Sequence, residues 1–414
     1  MAGTLGGMSG GDVLAGAEEI DWAGLTHAYG AAGDVPGLLR ALVSASPQDR
    51  ERAMYELYGT IFHQGSRYEA TACAVPFLVR LAADPGTPRR DRIVRLLVHV
   101  AIGYDQQFLP AGIDIADWRA RIERMRSADP AQQRRELDGW VEAARDERER
   151  RARSMRRDRY DPAGELRSAQ NELDAYDAVR AELPGLRGLL GDDDPRVRAE
   201  AAFLVGWFPQ EAAASCAALR ALLAAERVPE IAASAIVSAG LLHDTGLVPQ
   251  LREYLSGSGP LLCWAAAIAL ARLGDVDPAV IGVLAAASMN PPLCGPGPAV
   301  SFLDGDLRAY AAQTLVMLTD ELPPDTLDAV LAGLAQTSGA AALPMASAAL
   351  GLAFPGGAPH PLPPFGELTE PQRHVVRTLA DLGPGSWISV DLKLIMQNWN
   401  LPSEHAECRA YAGL

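Results

Sequence analysis

Residues 195–209 read PRVRAEAAFLVGWFP, and the spacing of their apolar side chains decides the fold. Val197, Ala201, Val205 and Phe208 recur at i, i+4, i+8 and i+11, the rhythm of one face of an α-helix. The pattern returns in PEIAASAIVSAGLLH from Pro229, PLLCWAAAIALARLG from Pro260 and GDLRAYAAQTLVMLT from Gly305. It is weaker in RAMYELYGTIFHQG from Arg52 and RIVRLLVHVAIGY from Arg92. Each of these helices follows another apolar one, as in AVPFLVRLAAD, LPGLRGLLGDD, CAALRALLAAE and LVPQLREYLSG. The joins are short and carry Asp, Gly and Pro, which stop one helix and cap the next. One such pair cannot bury its own apolar face, so pairs must stack and the ends of the stack must be capped.

A helix–turn–helix unit of ~30 to 47 residues, with Asp-Pro and Val-Arg opening its second helix, resembles the HEAT repeat. The resemblance covers roughly residues 36–103 and 178–357. Within it, IFHQGSRYEATACAVPFLVRLAADP (residues 61–85) followed by RIVRLLVHVAIG is similar to the opening of a group of bacterial, largely actinobacterial, HEAT-repeat proteins of uncharacterised function. The tail LTEPQRHVVRTLADLGPGSWISVDLKLIMQNWNLP is similar to that group's C-terminal cap, with Trp387, Trp399 and Leu401 as apolar anchors and Glu404, Glu407 and Arg409 facing water. The resemblance implies an all-α, HEAT-like α-solenoid of about seven helical pairs, with a helical insertion after the second pair. It implies no activity. The expected organisation is a disordered Gly-rich start (1–19), N-terminal repeats (20–103), a charged helical insertion (104–177), further repeats (178–357), and a linker and cap (358–414).

Composition agrees with an α protein. The chain is 49% hydrophobic but 6% aromatic, which favours closely packed helices over sheets. Its net charge is −15, and Lys393 is the one lysine among 37 basic residues. A field of that sign repels polyphosphate, so nucleic acid is not an expected partner. Cys73, Cys216, Cys263, Cys294 and Cys408 form no C-x-x-C pair and have no His at ligand spacing. No disulfide framework, metal site or cofactor is expected, and a reducing cytoplasm fits. No run approaches ~18 uninterrupted apolar residues, so a membrane is not an expected partner either.

On a helical wheel, the positions of the second helices that point away from the buried stripe form three columns. They read Tyr55, Arg95, Ala199, Ala233, Trp264, Ala309; then Gly59, His99, Phe203, Val237, Ile268, Gln313; then Phe62, Ile102, Gly206, Gly240, Ala271, Val316. A solvated concave face should be polar, yet this one is mostly apolar. Two readings follow: a groove for a protein, a peptide or a hydrophobic small molecule, or a face covered by the insertion or a terminal segment. The groove reading makes Tyr55, Phe62, His99, Phe203, Trp264 and Ile268 contacts, with His63, Arg67, Tyr68 and Trp207 at its rim. In the knot HQGSRYE, Ser66 and Glu69 have the spacing of a capping box, which would make most of the knot a hinge.

The insertion is expected to hold a long helix from about Ala131 to Arg159. Between Arg145 and Arg159 eight arginines face four acids, either a basic patch or a solvated helix laced with i, i+4 pairs such as Glu149 with Arg153. Trp118 and Trp140 would pin it to the repeats. Signatures of common hydrolases, NTPases, dinucleotide-binding enzymes and zinc proteases are missing. The expected function is a non-enzymatic protein-interaction scaffold. The alternatives are a small-molecule binder or a lyase- or cyclase-type enzyme using the groove, and, against the acidic charge, a HEAT protein of the DNA-glycosylase type.

Overall fold

The computed structural model describes residues 13–257, 259–318 and 322–414. Among them, 22 α-helices carry the fold, and the strands amount to two hairpins of two-residue strands. The chain is all-α, as its periodicity requires. Contacts divide it into two compact units: unit 1 runs to Tyr104 and resumes at Asp114–Leu186, and unit 2 comprises Asp105–Ile113 and Arg187–Leu414. Of the start expected to be disordered, residues 1–12 lie outside the described residues. Residues 13–19 do not follow that expectation, because Leu14 and Ala17 are buried and Trp22 Nε1 donates to the Ala17 carbonyl at 2.7 Å.

Unit 1 is built on three helices, Glu69–Ala83, Arg90–Ile102 and Pro162–Ala181, each packed on the other two. Ala74, Leu78, Val94, Leu97, Ala175, Tyr176 and Val179 are all buried. The third helix lies in the segment expected to be an insertion, so that segment supplies core rather than an appendage. The single long helix expected over 131–159 is two helices, Pro130–Glu142 and Glu147–Asp158. Asp146 divides them by taking the Glu149 amide at 2.8 Å, because a capping carboxylate competes with helix continuation. Among the arginines there, Arg153 pairs with Glu149 at 2.7 Å and Arg151 with Glu147 at 3.3 Å. Trp118 packs on Tyr176, 5.5 Å between ring centroids. Trp140 instead stays exposed, covered by the Arg153 guanidinium at 4.8 Å from its ring.

The polar knot is a hairpin, Phe62–His63 paired with Ser66–Arg67. Gln64 and Gly65 have φ of 50° and 89°, the positive pair that a two-residue hairpin turn demands. The expected Ser66–Glu69 capping box does not form. Thr71 Oγ1 takes the Tyr68 amide at 2.8 Å and donates to the Ile61 carbonyl at 2.6 Å, while Glu69 receives both donors of Thr26.

Unit 2 stacks the periodic helices. Pro195–Val205 packs on Pro229–Leu241, which packs on Pro260–Arg272. Each opens on proline, where the missing N–H is not needed. Gly240 lets the second and third approach so closely that a Cβ there would sit 2.7 Å from Ala269 Cα.

The loop after helix Pro278–Met289 folds back over these helices and is held by three carboxylates. Glu230 accepts the Gly295 amide, Glu200 the Ser301 hydroxyl at 3.1 Å, and Asp105 the Leu303 amide at 2.8 Å. Phe302, fully buried, lies 4.7 Å from Phe203 and 5.9 Å from Trp207, ring to ring. At the far end Trp387 and Leu401 are buried as expected of a cap. Phe302→Ala should destabilise unit 2 by about 3–5 kcal/mol, the range for a deleted core aromatic. Urea-unfolding midpoints of the full chain check this.

Candidate functional site

The site expected along the second helices does not exist in unit 2. Phe203, Trp207, Trp264 and Ile268 are buried. Trp264 donates its Nε1 proton to the Leu307 carbonyl at 3.1 Å and packs on Tyr310 at 5.8 Å. The wheel identified an apolar face correctly but not its cover. Residues 105–113 and the carboxylate-held loop fill it, Phe108 reaching Trp207 and Phe302 reaching Phe203. Helix Pro229–Leu241 shows why, for every residue after Pro229 is buried and it is apolar nearly all round. Residues 105–113 belong to the segment expected to be the insertion, as the second reading had it, whereas the loop that ends in Phe302 is neither insertion nor terminal segment.

In unit 1 the expected residues separate into interior and surface. Phe62 is buried, stacked on His99 at 5.5 Å with 15° between the planes. Arg67 is no rim residue: it is buried, donates to the Gly65 carbonyl, and lies 3.5 Å from Glu172 on helix Pro162–Ala181. Its Nε is buried without a hydrogen-bond partner, and burial lowers its affinity for the proton against the pull of Glu172. Gly103 completes the pocket: its φ is 74°, and a Cβ there would stand 2.7 Å from the guanidinium. Arg67 clamps hairpin to helix, and its charge is spent inside. Tyr68 is half-buried at the same edge, near Ser66 and Tyr29, and burial raises its phenol pKa.

What reaches solvent is a ridge of tyrosines. Helix Pro47–Thr60 is capped by Ser46, which accepts the Asp49 amide at 3.2 Å. It carries Tyr55 and Tyr58 at i and i+3, hence on one side. Tyr55 is 80% exposed and Tyr29, in the turn of the first hairpin, 71%. A cleft of about 450 Å³ lies among Tyr29, Tyr55, Tyr58, His63, Asp34 and Glu56. A second, of about 390 Å³, lies across the ridge, bounded by Glu51, Arg92 and Arg95.

The supports of the first cleft are specific. His27 accepts the Tyr29 amide on Nδ1 at 3.0 Å, so its Nε2 donates to Asp34 at 2.9 Å, fixing one end of the wall. The Tyr29 ring meets His63 edge-on, with centroids 5.4 Å apart. Tyr58 hydroxyl lies 3.1 Å from His99 Nδ1. Burial, aided by Arg95, pushes the His99 pKa down to about 4, so its imidazole is neutral near pH 7.

Of the ten residues expected at the site, the structure brings Tyr55 and His63 to one cleft and places His99 beneath it. Sequence reading missed Tyr29, Tyr58 and Asp34. The i, i+3 spacing of Tyr55 and Tyr58 was the available signal; Tyr29 is brought there by a hairpin that no periodicity announces. Among the described residues, no group of three or more His, Cys, Asp and Glu side chains is placed to hold a metal ion. No described helix is long and apolar enough to cross a membrane. No protein-family model matches the chain, and no curated protein matches it significantly.

The His99 shift makes a pH prediction. Its folded pKa lies below the unfolded value of ~6.5, so the unfolded chain binds the extra proton first. The contribution is complete above that value and is lost as pH falls towards 4. Between about pH 7 and pH 4.5 the wild type should lose ~2 kcal/mol more stability than His99→Phe, which keeps the stack without the titration. Denaturant titrations at the two pH values read the difference.

Proposed function

We propose that this chain is a HEAT-like α-solenoid that binds another protein without catalysing a reaction, through the tyrosine ridge of unit 1. The exposure of Tyr55 and Tyr29 carries the reading. Two large aromatic side chains stand open beside a cleft, on elements fixed by a helix cap and a hydrogen-bonded hairpin. Tyrosine is enriched among the residues that dominate binding energy, because it offers large contact area at low entropic cost. The cleft's tyrosine rings beside Asp34 and Glu56 suit an arginine or lysine anchor from the partner.

The titratable groups favour binding over catalysis. His99 is engaged by Phe62 and Tyr58, and Arg67 by Gly65 and Glu172. An acidic chain favours a basic partner and disfavours a nucleic-acid one. Five cysteines without a disulfide suit a reducing, cytoplasmic setting.

A photo-crosslinking residue at position 55 should capture the partner in the cell of origin. Tyr29→Ala/Tyr55→Ala should then weaken binding of that purified partner at least about tenfold. Stability should change by less than ~0.5 kcal/mol, as for surface positions. Unchanged affinity, measured by calorimetry, would overturn the reading, and stabilisation by a small metabolite in place of a protein would replace it.

A further inference from the structure

Among the described residues, every α-helix buries at least one side chain except Glu147–Asp158. Its apolar residues are Ala152 and Met155, and neither is buried. It packs on helix Pro130–Glu142 and on no other described element to a comparable extent. A helix that is polar all round persists through its caps and ion pairs. Asp146 supplies the cap, and the inner side is tied to the neighbouring helix: Arg153 donates to the Trp140 carbonyl, and Arg157 lies 3.4 Å from Asp138. Just beyond the helix, Tyr160 donates to Gln133. The hairpin is fastened on its inner face, and its second helix adds nothing to the core of unit 1.

The outer face is where charge is left over. Between Arg145 and Arg159 arginines outnumber acids by eight to four. Those acids are engaged: Glu147 with Arg151 at 3.3 Å, Glu149 with Arg153 at 2.7 Å, Asp158 with Arg157 at 2.8 Å, and Asp146 as the cap. Arg150, Arg156 and Arg159 are exposed, and no described Asp or Glu pairs with them. Arg156 and Arg159 stand at i, i+3 and Met155 and Arg159 at i, i+4, which puts all three on one side. Met155 is 57% exposed, and Trp140, on the facing helix, 38%, with the Arg156 guanidinium 5.9 Å from its ring. Arginine, methionine and tryptophan are enriched where proteins meet other proteins.

We propose that this face of the hairpin docks an acidic segment of a partner polypeptide, its carboxylates on Arg156 and Arg159 and an apolar side chain against Met155 and Trp140. Charge selects the occupant, because the guanidinium fork matches a carboxylate through two parallel hydrogen bonds. A continuous polyphosphate or an anionic membrane would also meet Glu147 and Asp158, both open to solvent on the same helix, and a chain of net charge −15. A polypeptide places its carboxylates one at a time and avoids them. The site lies on other helices than the tyrosine ridge and does not rest on that reading.

The test uses the full chain and a labelled glutamate-rich peptide of about 14 residues carrying two leucines, read by fluorescence anisotropy. Two further peptides replace glutamate by glutamine, or leucine by serine. The glutamate–leucine peptide should bind, the glutamine peptide at least about tenfold more weakly and the serine peptide at least about threefold. Arg156→Gln/Arg159→Gln should lower its affinity at least about tenfold and Met155→Ser at least about threefold. The urea midpoint should not move, since glutamine is as good a helix former as arginine. Arg124→Gln/Arg167→Gln, which removes equal charge from exposed positions elsewhere in unit 1, and Tyr29→Ala/Tyr55→Ala should stay within about twofold.

Equal loss in the Arg124→Gln/Arg167→Gln control would reduce the effect to general charge and overturn the proposal. So would absence of binding, binding indifferent to Arg156→Gln/Arg159→Gln, or loss in Tyr29→Ala/Tyr55→Ala, which would place the peptide on the ridge. Tighter binding of an oligothymidylate of similar length, weakened by the same arginine changes, would assign the face to nucleic acid. Sedimentation showing a dimer that Arg156→Gln/Arg159→Gln dissolves would assign it to a second copy, and overturn the proposal too.

Discussion

A helix that is apolar nearly all the way round has to be covered all the way round, and unit 2 is organised by that demand. Helix Pro229–Leu241 has neighbours on either side in Pro195–Val205 and Pro260–Arg272, and these leave one flank of the layer open. The chain closes it with its own irregular backbone, residues 105–113 and the loop that ends in Phe302 and Leu303. Irregular backbone brings unpaired amides with it, and buried amides are costly unless they are satisfied. Glu200, Glu230 and Asp105 answer that cost. Each spends a carboxylate on a loop donor, so the cover is held by hydrogen bonds to charged groups as well as by aromatic packing.

Unit 1 meets a smaller version of the same problem with the opposite charge. The hairpin between helix Pro47–Thr60 and helix Glu69–Ala83 turns back within two residues, and Arg67 goes into the interior beside Gly103. A buried guanidinium is tolerated only where acceptors meet it. Gly65 supplies one from the turn itself, and Glu172 supplies the other from a helix about a hundred residues away in sequence. The polar knot is therefore neither a seven-residue site nor a plain hinge. Its middle forms the turn, its arginine ties together the core, and His63 remains at the surface against Tyr29.

How much of this the sequence discloses depends on the range of the interaction. Helix type is local: i, i+4 apolar spacing, with proline at the first turn and aspartate or glycine before it, identifies the helices from Pro195 and Pro260 without further information. Burial of Trp264 and Phe203 is not local, because it depends on a loop about a hundred residues later in the chain than Phe203. A wheel sees apolar side chains but not what lies over them. The Ser66–Glu69 spacing satisfied a capping pattern, yet the hairpin placed Tyr68 at the cap and gave the Tyr68 amide to Thr71. Tyr55 was legible because a helix sets its direction. Tyr29 was not, since its place beside His63 comes from the turn geometry of the first hairpin.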